Sequence, residues 1–276
     1  MAHPGTADRP EPAAEGLVRE ETDGHVRRIV LADPARRNLL SEDMMAALSA
    51  ALDRAATDEG VRVVVIAGEG PTFSAGHDLK AMNACYGDAD AGRAAFERLF
   101  SRCSALMAGI AANPRPVIAE VGAVAAAAGC QLVAACDLAV ASEHARFGTT
   151  GVTFGLFCST PMVPLTRSVN AKDALEMLFT GDLIDAARAR EIGLVNHVVP
   201  HERLTEDTMA LARKIATKSP AVLAMGKRAY YAQLEMGLSA AYRHASSVMV
   251  ENLLAEDGRE GLAAFVEKRP PHWTGR

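Results

Sequence analysis

The chain has 276 residues, of which 49% are hydrophobic and 23% are charged, and its formal net charge is −5. This composition is typical of a globular protein with a sizeable core. An acidic chain without a dense Lys/Arg run lacks the basic surface that nucleic-acid binding requires, so nucleic acid is excluded as an expected partner.

The five cysteines indicate a reducing compartment. Their number is odd, and several lie inside apolar runs rather than at the spacings of a disulfide framework; they are Cys85, Cys103, Cys130, Cys136 and Cys158. From this we predict a cytoplasmic protein. No window holds the roughly 18 apolar residues of a membrane span, and the N-terminal sequence lacks the basic-then-apolar order of a signal peptide. We therefore expect no membrane span.

The N-terminal third alternates between strand and helix patterns. Residues 1–16 are rich in Pro, Ala and Gly without a hydrophobic period, which predicts a disordered tail. The β-branched runs at 25–32 and 61–68 predict strands. Between them, apolar residues at helical spacing predict a helix, with Ser41 placed as its N-cap.

The alternation continues through the middle of the chain. The patterns predict a helix over 91–112, a strand that ends at Gly122, a small-residue helix after Ala127 and a strand over 137–142. Strands and helices that alternate in this way imply an α/β layer in which helices cover a sheet.

The C-terminal third is helical. After Pro164 the longest helical patterns are 204–217 and 220–236. We therefore predict an α/β core over 17–200 and a C-terminal helical section over 201–276.

The sequence lacks most catalytic signatures. It contains no P-loop, no GxGxxG after a strand, no HExxH, no CxxC and no GxSxG elbow. Metal-dependent, nucleotide-hydrolysing and ordinary serine hydrolase chemistry are therefore not indicated, and neither a metal nor a separate cofactor is expected.

Two strand-to-loop junctions are rich in small residues: "VVVIAGEGPTFSAGHDLKAM" and "RPVIAEVGAVAAAAGCQLVAACD". Small residues allow a ligand to approach the backbone, and free N–H groups at a helix N-terminus favour negative charge. Two such N–H groups that converge would form an oxyanion hole. The alternative is that the small residues serve only close packing.

The order of these motifs resembles a known family. "FSAGHDLKAM" followed by "RPVIAEVGAVAAAAGCQLVAACDLAVASEHARFG" is similar to the crotonase superfamily of enoyl-CoA hydratases and isomerases, and the resemblance extends from about Val26 to the C-terminal "AAFVEKRPPHW". It implies an α/β fold, a spiral of ββα units with a C-terminal helical section. It also implies an acyl-CoA thioester as partner, with coenzyme A as part of the substrate, and assembly as a homotrimer or dimer of trimers.

The resemblance also implies roles for individual residues. The backbone N–H groups of His77 and Ala128 correspond to the pair that holds the thioester oxygen. The positions that correspond to coenzyme A contacts are Arg36, Arg37, Ala75, Asp78, Leu79, Lys80, Phe265 and Lys268. For the charged residues among them, the alternative is solvated surface.

Both catalytic glutamates of the family's hydratases are missing here. Gln131 stands at the first position and Gly151 at the second. An amide cannot act as a general base near neutral pH, and glycine has no side chain. Hydration by paired glutamates, and isomerisation by a single one, are therefore not expected. These replacements, with "GLFCSTPMVPLTR" in place of a glycine-rich stretch, are most similar to the enoyl-CoA hydratase domain-containing proteins that lack both glutamates.

Other residues could carry chemistry. The His77 side chain could donate a hydrogen bond or a proton to an enolate, or only pack. Cys158 and Ser159 could supply a nucleophile, or form the pocket wall. Glu120 could be a displaced carboxylate, or pair with an arginine. Asp78 is most simply a helix N-cap.

Three hypotheses remain open. The first is an acyl-CoA enzyme that stabilises a thioester enolate and performs decarboxylation, thioester hydrolysis or a narrow isomerisation. The second is a non-catalytic acyl-CoA binding or regulatory protein. The third is a slow enoyl-CoA hydratase whose water is held by Gln131.

Overall fold

The structure is a computed structural model that describes residues 16–276, so the predicted tail lies outside the described residues except for Gly16. Within this range the strands are β1 Val18–Asp23, β2 Val26–Leu31, β3 Val63–Gly68, β4 Thr72–Ser74, β5 Val117–Val121, β6 Val124–Ala126, β7 Leu138–Ser142, β8 Arg146–Gly148, β9 Ile184–Asp185 and β10 His197–Val199.

The helices of residues 16–276 are α1 Glu42–Thr57, α2 Leu79–Ala84, α3 Arg93–Ala112, α4 Ala128–Ala135, α5 Met162–Ser168, α6 Ala171–Thr180, α7 Ala186–Glu191, α8 Leu204–Ala216, α9 Pro220–Leu234, α10 Leu238–Leu254 and α11 Glu256–Glu267. Short 3₁₀ turns lie at Pro34–Arg36, Cys85–Gly87, Thr150–Phe154 and His201–Arg203.

The strands form two sheets. The larger has the order β1-β2-β3-β5-β7-β10, and the smaller has the order β4-β6-β8-β9. β1 and β9 are antiparallel to their neighbours, and the other pairs are parallel. Each central strand of the large sheet is followed by one of the small sheet: β3 by β4, β5 by β6, and β7 by β8. These are repeated ββα units, so the predicted α/β fold of such units with C-terminal helices is confirmed.

Both faces of the large sheet are covered. Along β5, Val117, Ala119 and Val121 belong to the main core, whereas Ile118 packs with residues of α8 in a second core cluster. This alternation follows from the two-residue period of a strand. Because α8 covers one face of the sheet, it is part of the core. Of the C-terminal helices, only α9, α10 and α11 lie outside this layer.

Local sequence signals account for several element ends. The Ser41 hydroxyl accepts a hydrogen bond from the Met44 N–H, which confirms Ser41 as the N-cap of α1. The predicted helix over 91–112 begins at Arg93. The strands β4, β6 and β8 were not predicted, because three residues are too short to show an alternating pattern.

A buried lysine anchors the C-terminal helices. Lys227 on α9 lies 2.6 Å from the Asp137 carboxylate. It also donates to the main-chain oxygens of Ile110 at 2.8 Å and Arg115 at 3.0 Å. Tyr231, one turn later, donates to the other oxygen of Asp137 at 2.8 Å. These contacts fix α9 to the end of α3 and to the start of β7.

Among residues 16–276, no helix combines the length and the apolar character that crossing a membrane requires.

Candidate functional site

The two small-residue junctions meet at one edge of the small sheet. β4 and β6 are parallel neighbours, so their carboxyl ends lie side by side. His77 follows β4, and Ala128 follows β6. Between them, Gly76 has φ +89°, and a methyl group added there would lie 3.1 Å from the Ala128 nitrogen. Only glycine combines this backbone conformation with this close approach.

Main-chain hydrogen bonds set the direction of both predicted N–H donors. The Gly76 carbonyl accepts from the Leu40 N–H at 2.8 Å, and the Ala127 carbonyl accepts from the Gln131 N–H at 3.0 Å. In a trans peptide the N–H points away from the carbonyl. The N–H groups of His77 and Ala128 therefore point away from these partners. We call this pair of N–H groups the main-chain cradle.

Neither N–H of the cradle is used by secondary structure. Ala128 is the first residue of α4, so its N–H has no partner within the helix. The His77 N–H donates to no acceptor among residues 16–276. Both donors remain available to a ligand.

Ala127 has a strained backbone immediately before the cradle. Its φ of 48° and ψ of −116° lie outside the regions that alanine favours. The conformation is close to the first central position of a type II′ turn, which glycine prefers. Ala127 is held in place because its N–H donates to the Gly148 carbonyl at 2.8 Å. Such strain costs on the order of 1–3 kcal/mol and clusters at functional sites.

The His77 side chain packs beneath the cradle. Its Nδ1 lies 2.9 Å from the Leu40 carbonyl oxygen. Because a carbonyl only accepts, Nδ1 carries a proton. The ring meets Phe100 edge to face with centroids 5.6 Å apart, and Nε2 is buried without a partner. Burial lowers the pKa of His77, so the ring is neutral at neutral pH. A neutral ring with this tautomer has no proton on Nε2 to give to an enolate.

This burial predicts a pH-dependent stability. Between its lowered pKa and the ordinary value of 6.5, the folded His77 binds fewer protons than the unfolded one, so the free energy of unfolding rises with pH there. The free energy of unfolding is expected to fall as the pH drops below 6.5. His77→Asn should flatten this part of the curve of unfolding free energy against pH. Urea titrations between about pH 5.5 and 7.5 measure it. The exposed His197 provides the control, as His197→Asn. An unchanged curve in His77→Asn would contradict the assignment.

The Gln131 amide has one partner. The side chain is 3% exposed, and its Oε1 accepts from the Cys103 thiol with S and O 3.7 Å apart. Burial raises the pKa of Cys103 to about 11, so the thiol keeps its proton. The amide nitrogen of Gln131 donates to no group within residues 16–276, and it is not among the fully shielded polar atoms. It therefore faces accessible space.

The second glutamate position is closed. A methyl group on Gly151 would lie 2.3 Å from the Leu156 carbonyl oxygen and 2.9 Å from the Cys158 sulfur. The Gly151 N–H donates to that sulfur at 3.3 Å. No side chain fits at Gly151 unless the turn that follows it moves. Burial raises the pKa of Cys158, which makes a thiolate nucleophile unfavourable at this position.

Glu120 and Asp78 have structural partners. Glu120 is buried against Arg28 at 2.7 Å and accepts from Thr205 at 2.9 Å. It lies on the face of β5 that α8 covers, opposite to the face of the main core, so it is not a displaced carboxylate of the site. Asp78 accepts from the N–H groups of Lys80 and Ala81 at 3.0 Å, which confirms it as the N-cap of α2.

Some predicted coenzyme A contacts lie together, and others do not. The Ala75 N–H donates to the Arg37 carbonyl at 3.1 Å, which joins the Arg36–Arg37 loop to the first junction. Leu79 and Lys80 are exposed beside it. By contrast, Phe265 is 82% exposed on α11, and Lys268 caps that helix. Because α11 packs chiefly on α9 and α10, a single chain does not bring these two residues to the cradle.

Asn38 is a site residue that the sequence interpretation missed. It is fully buried with φ 49°, a left-handed conformation that asparagine tolerates. Its amide nitrogen donates to the carbonyls of Glu69 and Thr72, and its Oδ1 accepts from the Asp33 N–H. Asn38 therefore holds the arginine loop against β4. The sequence around Asn38, directly after two arginines, has no helix or strand pattern. Only the tendency of asparagine to adopt left-handed turn conformations could have indicated its role.

A cleft of about 470 Å³ is lined by Asp90, Ala91, Arg93, Phe96, Glu97 and Phe100. Of these residues, Phe100 also packs edge to face on the His77 ring. Within the described part of the chain, no three His, Cys, Asp or Glu side chains are grouped to hold a metal ion.

The chain is similar to known proteins over nearly its whole length. Residues 21–276 match the family described as enoyl-CoA hydratase/isomerase. Enoyl-CoA hydratase domain-containing protein 3, mitochondrial, of Rattus norvegicus is 46% identical over 98% of this chain and 89% of the relative. The crystal structure of the human protein of that name is 46% identical, with a TM-score of 0.88 over 93% of this chain and 100% of that chain. An enoyl-CoA hydratase of Mycobacterium smegmatis gives the same identity and TM-score over 94% and 99%.

The prediction of a cytoplasmic protein is wrong by these comparisons. The relatives from rat, mouse and human are all named as mitochondrial. The five cysteines are free thiols in the structure. Free thiols indicate only that a compartment is reducing, so the cysteine content could not distinguish the cytoplasm from another reducing compartment.

Proposed function

The chain belongs to the enoyl-CoA hydratase/isomerase family, and from this we propose that it binds an acyl-CoA thioester whose carbonyl oxygen is held by the main-chain cradle. The observation that carries the proposal is the orientation of the His77 and Ala128 N–H groups, which are both fixed by main-chain hydrogen bonds and both available. Preorganised donors of this kind stabilise negative charge that develops on a thioester oxygen, at little reorganisation cost.

The residues present support enolate stabilisation better than ordinary hydration. Gln131 cannot act as a general base, and Gly151 has no space for a carboxylate. Chemistry that needs the thioester oxygen polarised, but not two glutamates, fits this site: decarboxylation, thioester hydrolysis or a narrow isomerisation. Coenzyme A enters as part of the substrate, and the proposal needs neither a metal nor another cofactor.

The coenzyme A portion is proposed to lie along the arginine loop and the first junction. The Ala75–Arg37 hydrogen bond joins these two segments into one surface. The proposed contacts from it are Arg36, Arg37, Ala75, Asp78, Leu79 and Lys80. Phe265 and Lys268 would reach a nucleotide only through assembly of several chains, because α11 packs on α9 and α10.

A second candidate is a non-catalytic acyl-CoA binding or regulatory protein. Among residues 16–276, the observation that favours it is the protonation of two side chains: His77 is neutral with its Nδ1–H bonded to Leu40 and has no proton on Nε2 to give, and Cys103 keeps its proton. A slow hydratase whose water is held by Gln131 is the third. Product formation from enoyl-, malonyl-type and simple acyl-CoA substrates separates these candidates.

Calorimetry tests the binding proposal. Acetyl-CoA is expected to bind about tenfold more tightly than its thioether analogue, ethyl-CoA, because only the thioester offers an oxygen to the cradle. Gly76→Ala should remove this difference, since the added methyl lies 3.1 Å from the Ala128 nitrogen. Gly24→Ala is the matched control: it also has positive φ, but its methyl meets nothing within 4 Å. Equal binding of both ligands by the unaltered protein would refute the proposal.

The chain is further proposed to assemble as a homotrimer or dimer of trimers through α9 and α10. Neither helix has a residue that is buried as a whole in the single chain, although the Lys227 side chain is 8% exposed. Leu238 and Tyr242 are 76% and 68% exposed. An apolar surface of this kind marks an interaction site. Sedimentation is expected to give the mass of three or six chains. Leu238→Glu with Tyr242→Glu should lower that mass, whereas Lys214→Glu, at an exposed position of α8, should not. A monomer at micromolar concentration would contradict assembly.

A further inference from the structure

The Gln131 amide has a fixed polarity. Its oxygen accepts from the Cys103 thiol, which keeps its proton. The two N–H groups of the amide are therefore free to donate to an acceptor on a ligand. The side chain is 3% exposed and its nitrogen has no partner within residues 16–276, so these N–H groups are left without an acceptor in the described protein.

The position of Gln131 places this donor near the reacting part of a ligand. Gln131 lies one turn after Ala128 on α4, and residues three apart occupy the same face of a helix. Helical side chains also lean toward the helix N-terminus. The amide therefore extends toward the end of α4 that carries the Ala128 N–H. A thioester oxygen on the cradle would bring the next carbons of the acyl group toward the amide.

A ligand can supply the missing acceptor. An N–H that loses its contact with water when a ligand binds, and stays unpaired, disfavours binding; a matching acceptor on the ligand regains that loss. An acyl group with only C–H groups at its β carbon leaves the Gln131 N–H groups unpaired. An oxygen on the β carbon would accept a hydrogen bond from one of them. The N-terminus of the eight-residue α4 favours negative charge, and its first turn has no acidic residue.

We infer that the acyl group accepted here has a carbonyl or carboxylate oxygen on its β carbon, and that the Gln131 N–H donates to this oxygen. This inference rests on the proposed acyl-CoA binding and adds the class of acyl group. Gln131 is then a residue that determines specificity, and the amide that replaces the family's first glutamate has its own role in recognition.

Calorimetry with three thioesters tests the inference. Butyryl-CoA has an alkyl group at the β carbon, acetoacetyl-CoA has a carbonyl there, and malonyl-CoA has a carboxylate. We expect acetoacetyl-CoA or malonyl-CoA to bind about tenfold more tightly than butyryl-CoA. Tighter binding of acetoacetyl-CoA would identify a neutral β-carbonyl group as the preferred acceptor. Tighter binding of malonyl-CoA would identify a carboxylate. Gln131→Met, which is similar in volume and lacks the amide, should reduce the ratio to about one.

Two further variants address the fixed polarity. Cys103→Ala removes the thiol that orients the amide and should lower the ratio, whereas Cys103→Ser keeps a donor there and should retain it. Gln131→Glu should weaken malonyl-CoA binding most, because two carboxylates would then face each other. Equal binding of all three thioesters by the unaltered protein, with acetyl-CoA still bound, would overturn this inference alone. If no acyl-CoA binds, the proposed function itself fails.

Discussion

Gly151→Glu is expected to destabilise the protein by more than about 3 kcal/mol and to give no hydratase activity. Even a methyl group at this position would lie 2.3 Å from the Leu156 carbonyl oxygen, and overpacking by one methyl already costs about 1–3 kcal/mol. A carboxylate adds an unpaired charge at a buried position beside that oxygen. Urea denaturation measures the stability, and crotonyl-CoA turnover measures the activity.

The control for this prediction is Gly109→Glu. Gly109 is exposed on α3, and a Cβ atom added there meets no atom within 4 Å, so we expect a small change or a gain from better helix propensity. Combining Gln131→Glu with Gly151→Glu should likewise fail to restore hydration. A stable, active double variant would show that the Leu156 turn moves readily and would refute the steric argument.

Lys227→Met is expected to lower the free energy of unfolding by about 3 kcal/mol, because it leaves one member of a buried ion pair without its partner. The side chains of Lys227 and Asp137 are 8% and 16% exposed. Two main-chain carbonyls, of Ile110 and Arg115, also lose their donor. The loss is at the lower end of the range for such pairs because Asp137 keeps the hydrogen bonds from the Val117 N–H and the Tyr231 hydroxyl.

Lys214→Met is the matched control, since Lys214 is exposed on α8 and forms no ion pair within residues 16–276. Urea denaturation of both variants gives the comparison. Asp137→Asn combined with Lys227→Met should recover part of the loss, because the carboxylate left unpaired becomes neutral. If Lys227→Met and Lys214→Met have the same stability, the anchor does not stabilise α9.

The sequence predicted the elements that have strong local signals. The strand and helix alternation around Ser41 follows from periodicity and an N-cap, and both agree with β2, α1 and β3. The placing of His77 and Ala128 at adjacent junctions came from the family resemblance. The parallel pairing of β4 with β6 gives the physical reason that the two junctions meet.

Other features depend on contacts that periodicity cannot show. The Gln131–Cys103 contact joins α4 to α3, and the closure of Gly151 depends on where the Leu156 carbonyl falls in the following turn. Glu120 lies in a predicted strand whose pattern does not show which face of the sheet its side chain is on. Its pairing with Arg28 depends on which face α8 covers. Each of these required the positions of two segments that are separate in the sequence.

The main-chain cradle also bears on how such a protein changes during evolution. Its two N–H groups are directed by the Leu40 and Gln131 main-chain donors, not by side chains. Substitutions of side chains at neighbouring positions can therefore exchange acids, amides or apolar groups while the direction of the two N–H groups is retained. Under the proposed function, a protein of this fold could therefore bind new acyl groups before a new acid or base arose at the site.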